Sequence, residues 1–286
     1  MSLPYFAYGS NLSAAHWADW ATARGASPSL LRPLEAAWLP DHRLDFNYYS
    51  TTHRAGAANI MAAPGQLVPG FLFEAPPPIL AALDAKEGHP NYYARTERTV
   101  LTADGRAVRA LTYAVVPARR RPFTPPTPVY LDRIRAGYRD RGLAADLGAL
   151  EAVAAGLPAP ALVPGIFVYG TLRSGEALHH HVVRFGVRVA ERATAPGRLW
   201  SLGWYPGAVF WPPGGGQVVG ERVVLVDLAA AVVALDAVEE VAQGEYRRVL
   251  VDAGGQRAWA WQVCDVAGHP RIPGGDWVAH RKALRP

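Results

Sequence analysis

Two short apolar runs, Tyr5-Phe6-Ala7-Tyr8 and Ile166-Phe167-Val168-Tyr169, each end in a glycine followed by a hydroxyl residue, Gly9-Ser10 and Gly170-Thr171. An apolar run of this length closed by a turn signal predicts a buried strand. Further along, the apolar helical stretches Ile79–Leu83 and Leu228–Leu235 lead into Leu83-Asp84-Ala85-Lys86-Glu87 and Leu235-Asp236-Ala237-Val238-Glu239. Tyr93-Ala94-Arg95 and Tyr246-Arg247-Arg248 follow within several residues. Then Val100-Leu101-Thr102 and Val249-Leu250-Val251 predict strands that run into turns. The pairs Asp104-Gly105 and Gly254-Gly255 supply the positive φ that tight hairpins need. The return strands are Val108–Val116 and Ala258–Val263, the latter alternating as Ala-Trp-Ala-Trp.

One order of elements therefore occurs twice, which predicts a duplicated domain. Between the copies, residues 130–155 have helical composition, and Gly156-Leu157-Pro158-Ala159-Pro160 reads as a linker because proline blocks helix continuation. The expected domains are residues 1–158 and 159–286, with the boundary near 160. Mixed strands, helices and hairpins predict an α+β fold, a sheet curled into a barrel with helices packed around it.

Half of the residues are hydrophobic and 19% are charged, which excludes a disordered chain. The formal charge is +5, almost all of it arginine, and the densest run, Arg119-Arg120-Arg121, has no interleaved aromatics. Nucleic-acid readers combine basic and stacking side chains, so a solvated surface is the expected role and nucleic acid is not an expected partner. The N-terminus lacks a basic segment followed by an apolar one, and no apolar run reaches membrane-spanning length. The single cysteine, Cys264, excludes an intrachain disulfide. These features predict a cytoplasmic protein that meets no membrane; monomer and dimer both remain open.

The candidate chemistry lies where the repeats coincide. A strand ending in Tyr8-Gly9-Ser10-Asn11, with a helix expected from near Ser13, presents unpaired N–H groups that can hold a carboxylate or a developing oxyanion. Tyr169-Gly170-Thr171-Leu172 offers the same device. Pro76-Pro77-Pro78 suits the first turn of a helix and Gly88 its end, which places Glu87 in the last turn. There the helix dipole and partial burial both disfavour a negative charge and raise a carboxyl pKa toward neutrality. Glu239 recurs at the matching point; Glu240, beside it, breaks the Asp-x-x-Glu spacing.

Together these motifs resemble the γ-glutamylcyclotransferase superfamily, AIG2-like proteins included. Its pattern is a Tyr-Gly-[Ser/Thr]-[Asn/Leu] loop, then Leu-Asp-x-x-Glu ahead of a Tyr-x-Arg-type strand. Residues 4–155 are similar to the glutathione-pathway type through Asp41-His42-Arg43-Leu44-Asp45-Phe46, Ala58-Asn59-Ile60 and Pro125-Pro126-Thr127-Pro128-Val129-Tyr130. Residues 164–280 resemble the short γ-glutamylaminecyclotransferase type through Tyr169-Gly170-Thr171-Leu172-Arg173 and Gly275-Asp276-Trp277. The resemblance implies two tandem mixed β-barrels with flanking helices. It also implies a reaction in which the α-amine of a γ-glutamyl amide attacks its own γ-carbonyl, releasing 5-oxoproline and the free amine. It implies no cofactor and no metal, a small-molecule γ-glutamyl substrate, and Glu87 and Glu239 as the acid/base residues. The implied substrate-binding set is Tyr5, Phe6, Ala7, Tyr8, Gly9, Ser10, Asn11 and Tyr130 in the first copy, and Tyr169, Gly170, Thr171 and Leu172 in the second. Tyr130 would close over the substrate. The second copy departs from the first in having Glu240 where Gly88 stands and no clear counterpart of Tyr130. A non-catalytic module that binds a small metabolite in the same pocket is the alternative.

His179-His180-His181 on a helix would point in three directions, which disfavours joint chelation. Trp200, Trp204, Trp211, Trp259 and Trp261 are expected to pack in core and loops. Cys264 is expected in a strand as a structural thiol.

Overall fold

The computed structural model describes residues 3–284 except 26, 28, 30 and 212–214. The chain separates into two compact units, residues 1–162 and 163–286. Among the described residues, no helix is long and apolar enough to cross a membrane.

The first unit contains β1 (Tyr5–Ala7), α1 (Ala14–Thr22), β2 (Arg32–Ser50), β3 (Ala55–Glu74), α2 (Pro77–Glu87), β4 (Tyr93–Thr102), β5 (Ala107–Val115), α3 (Pro128–Asp140) and α4 (Leu147–Ala154). Its strands close into a mixed barrel in the order β1-β3-β2-β4-β5. β1 runs antiparallel to β3 and parallel to β5, where Tyr5 faces Leu111. Asn59 is fully buried and staples the closure: its Nδ2 donates to Asn47 Oδ1 at 2.8 Å, and its Oδ1 accepts from Val115 N–H at 2.9 Å. A buried amide satisfied on both sides pins the register of three strands.

The helix signals act as their chemistry requires. Pro77 opens α2 at a position that needs no N–H bond, and Gly88 ends it at φ 64°, in the left-handed region. Thr127 caps α3 by accepting from Tyr130 N–H at 3.2 Å. Gly137 lets α3 lie against the loop after β1: a Cβ there would come within 2.8 Å of the Leu12 carbonyl carbon and of Ser13 N. This close approach carries Tyr130 to the barrel mouth.

The second unit contains β6 (Gly165–Val168), α5 (His180–Val183), β7 (Val187–Ser201), β8 (Pro206–Phe210), β9 (Gln217–Leu225), α6 (Leu228–Val238), β10 (Tyr246–Asp252), β11 (Arg257–Val263), β12 (Arg271–Ile272) and α7 (Trp277–Ala283). Its seven-stranded mixed sheet has the order β10-β11-β6-β9-β7-β12, with β8 paired to β7. The sheet curls almost to closure because β8 meets the far edge through side chains. Phe210 N–H donates to Gln262 Oε1 at 3.0 Å, and Tyr246 Oη donates to Pro206 O at 2.9 Å. The alternation read from β11 sends Ala258 and Ala260 into a core with Phe167, Val249 and Trp277. It turns Trp259 and Trp261 to the opposite face, and Trp261 Nε1 donates to Asp236 of α6 at 2.9 Å.

Three expectations are corrected. The helix expected to follow the second Tyr-Gly loop is a run of turns ending in the single-turn α5, whereas α1 follows the first loop directly. Cys264 lies just beyond β11 and is exposed, so it is not a structural thiol. Trp204 is 92% exposed on the turn between β7 and β8, while Trp259 and Trp261 are buried as expected.

Candidate active sites

In the first barrel, β1 delivers the Tyr8–Asn11 loop and α2 delivers Glu87 to one cavity of about 40 Å³. Its other walls include Tyr5, Ala58, Tyr93, Tyr113 and Tyr130. Gly9 leads into a 3-10 turn, Ser10–Leu12, closed by Leu12 N–H to Gly9 O at 3.0 Å and Ser13 N–H to Ser10 O at 3.2 Å. The N–H groups of Ser10 and Asn11, at the head of this turn, stand outside that ladder. The Asn11 side chain reaches across, donating to Glu87 Oε1 and Tyr5 Oη, both at 2.8 Å. Burial raises the Glu87 pKa, and nearby Lys86 and the Asn11 bond oppose the rise. Tyr130 accepts from Ala58 N–H at 3.2 Å, bonds with Ser10, and is pushed up to about 12 chiefly by burial. Phe6 and Ala7 are buried outside the cavity, with Phe6 alternating to the opposite face of β1 from Tyr5.

The second cavity is about 300 Å³ and is lined by Tyr169, Gly170, Thr171 and Leu172 on one side and Glu239 on the other. Leu172 stands where Asn11 does, so Glu239 lacks the amide that Glu87 accepts from. Its pKa is raised to about 7 by burial alone. Ile166 likewise replaces Tyr5. The lost Tyr130 has a matching change in the backbone. Tyr93 Oη donates to Ala58 O at 2.8 Å in the first barrel, and Tyr246 makes the same bond to Pro206 O. The equivalent of Ala58 is thus a proline with no N–H to satisfy, and no tyrosine is needed there.

A brace behind each glutamate went unrecognised in the sequence. Asp84, three residues before Glu87, accepts from Tyr113 Oη on β5 and from Arg95 Nη1 on β4, each at 2.7 Å. Asp236 repeats it, accepting from Trp261 Nε1 and pairing with Arg248 Nη2 at 3.6 Å. The brace fixes the end of the glutamate-bearing helix to the barrel wall. The signal was present, since Asp-x-x-Glu and Tyr-x-Arg recur in both copies, but nothing local says that these two motifs meet. Asp84→Ala is expected to destabilise the first domain by about 1–3 kcal/mol, having orphaned a half-buried guanidinium and a tyrosine hydroxyl. Asp84→Asn, which keeps an acceptor for Tyr113, should lose less; denaturant midpoints of the two variants distinguish them.

The tyrosine after β1 is anchored alike in both copies, Tyr8 Oη donating to Tyr113 O at 2.7 Å and Tyr169 Oη to Trp261 O at 2.6 Å. The three histidines do not converge. His179 Nδ1 lies 3.0 Å from Leu172 O, and only His180 and His181 stack, with centroids 4.1 Å apart. Among the described residues, no three His, Cys, Asp or Glu side chains gather where a metal could be held.

The model of the family described as γ-glutamyl cyclotransferase, AIG2-like, matches residues 5–130 and 166–279. A Vibrio cholerae protein named provisionally as a γ-glutamylcyclotransferase is 36% identical over 114 residues, spanning 39% of this chain and 93% of its own. A solved γ-glutamyl cyclotransferase is 28% identical over 54% of this chain and 88% of its own, with a TM-score of 0.46. The Escherichia coli protein ytfP is 33% identical over 41% of this chain and 97% of its own, with a TM-score of 0.31.

Proposed function

Because the chain belongs to the γ-glutamyl cyclotransferase, AIG2-like family, we propose that it converts γ-glutamyl amides to 5-oxoproline and a free amine. One observation carries the reading. In each copy a recessed glutamate faces the head of the Tyr-Gly turn across a cavity, braced by an aspartate, an arginine and an aromatic residue. The α-amine nitrogen attacks the γ-carbonyl carbon, so one C–N bond forms and the amide C–N bond breaks. The glutamate takes the proton from the α-ammonium and passes it to the leaving nitrogen. The loop N–H groups hold the carbonyl oxygen while it carries charge. Ring closure is intramolecular, so holding the γ-glutamyl group folded supplies much of the acceleration.

The test is 5-oxoproline release from a panel of γ-glutamyl amino acids and amines. With Glu87→Gln in the full chain, only the second site remains, and its rate should rise with pH through about 7 as Glu239 ionises. Below that pH the carboxyl is protonated and cannot accept the ammonium proton. A rate already on its plateau at pH 5 would remove Glu239 as the base.

A further inference from the structure

We propose that Lys86 is a positioning residue of the first site. Its ammonium, held on a platform of Trp17 and Trp20, keeps the adjacent Glu87 ionised and lets this copy work in more acid solution than the second. The inference rests on the cyclotransferase reading and adds to it a division of working range between the copies. Lys86 Nζ is buried and makes no hydrogen bond among the described residues. A buried ammonium without hydrogen bonds is unfavourable, and aromatic faces are a surrounding that offsets the loss. Nζ lies 5.6 Å from the Trp17 ring centroid and 5.2 Å from that of Trp20, and the two rings stack with centroids 5.4 Å apart. Both tryptophans belong to α1, three residues apart and so on one face. α1 follows directly on the Ser10–Leu12 turn, with Ser13 capping it by accepting from His16 N–H at 3.3 Å. The helix that follows the Tyr-Gly turn therefore also carries the platform.

Lys86 stands one residue before Glu87 in the last turn of α2, while the Glu87 carboxylate bonds to Asn11, so the ammonium acts on it through space. The groups that face Lys86 are Arg133 of α3, Arg24 beyond α1, His16 of α1 and His53 of the β2–β3 turn. Glu87 is the one anion that acts on Lys86 in this group. Its other neighbours, Tyr5, Tyr8, Tyr93, Tyr113 and Tyr130, are phenols that burial keeps neutral. Burial, chiefly, lowers the Lys86 pKa to about 8, so the cation persists throughout the acid range. The second copy lacks both parts of the device. Val238 stands in the place of Lys86, turns replace the helix after Gly170, and no tryptophan lies between Gly170 and the end of α5. Cation and platform are absent together, as expected if the one serves to hold the other. Glu239 is left at about 7 by burial alone.

The test measures kcat/KM against pH for 5-oxoproline release, at the first site in the full chain carrying Glu239→Gln and at the second in the chain carrying Glu87→Gln. The acid limb of the first profile should lie below that of the second. Added to Glu239→Gln, Lys86→Met fills the space without the charge and should move the first limb up by about one pH unit, a loss of about ten-fold in rate on the limb. Lys86→Arg keeps a cation that stacks on indole and should leave the limb near its place. A limb unmoved by Lys86→Met would overturn the inference, and so would one moved equally by both variants, which would assign the effect to packing. No turnover in the Glu239→Gln chain beside turnover in the Glu87→Gln chain would overturn it too, placing all chemistry in the second site. The carboxyl carbon resonance of Glu87, identified by its loss in Glu87→Gln, should show the same upward shift of its titration in Lys86→Met. No release by the unmodified chain at any pH would remove the cyclotransferase reading and the working range with it. The resonance would still decide whether Lys86 holds Glu87 ionised.

Discussion

Replacing both Glu87 and Glu239 by glutamine is expected to lower 5-oxoproline release by about 10²–10⁴-fold, the usual loss for an acid/base group. Glutamine keeps the shape and an acceptor oxygen but cannot take the α-ammonium proton. In the first site the amide oxygen of the Glu87→Gln variant can still accept from Asn11 Nδ2, which lies 2.8 Å from Glu87 Oε1, so the cavity should keep its form. Substrate binding should survive because the turn amides remain. Each single variant reports the share of the other site, and the double variant is decisive. Full activity in it would sink the proposed mechanism while leaving the fold untouched. A double variant that is inactive beside an equally inactive Glu239→Gln single variant would assign the chemistry to the second site alone.

The fold was legible because its signals are local. Tyr-Gly turns, a proline-opened helix ended by Gly88, and Asp-Gly and Gly-Gly hairpins each act within a few residues, and the turns and hairpins recur. The glutamates were legible for the same reason, as the endpoint of a repeated apolar helix. What was hidden depends on long-range closure. Nothing near Asp84 announces that Tyr113, on another strand, and Arg95 converge on it. Phe6 and Ala7 were grouped with the site because they belong to the motif, but strand alternation and core packing place them away from the cavity. Trp204 was expected to pack because tryptophan usually does. A four-residue turn with Gly203 at its corner instead sets it at the cavity mouth. Asn11 was legible as part of an amide-presenting loop, whereas its side-chain bond to Glu87 is a property of the closed barrel.

The divergence between the copies follows from two side chains: Lys86 and Asn11 oppose the rise at Glu87, and Val238 and Leu172 stand in their places in the second copy. With valine and leucine there, no side-chain donor among the described residues meets the Glu239 carboxyl, and burial raises its pKa from 4.5 to about 7. The folded second domain therefore binds a proton between those values that the unfolded chain has released, and stability falls as pH rises across that window. Below pH 4.5 the carboxyl is neutral in both states and carries no penalty; above 7 the full penalty applies. At about 1.36 kcal/mol per pKa unit the loss amounts to roughly 3 kcal/mol. Glu239→Gln removes this titration. The variant should thus gain roughly 2.5 kcal/mol relative to the unmodified chain on going from about pH 5 to about pH 8, whatever their difference at the lower pH. The measurement is the denaturant midpoint of the second-domain transition for both proteins across that range. Parallel pH profiles would mean that Glu239 is already ionised in the fold at the acid end, and it could not then be a base poised near neutrality. Glu87→Gln should show a smaller gain, because Lys86 and Asn11 already support the Glu87 carboxylate.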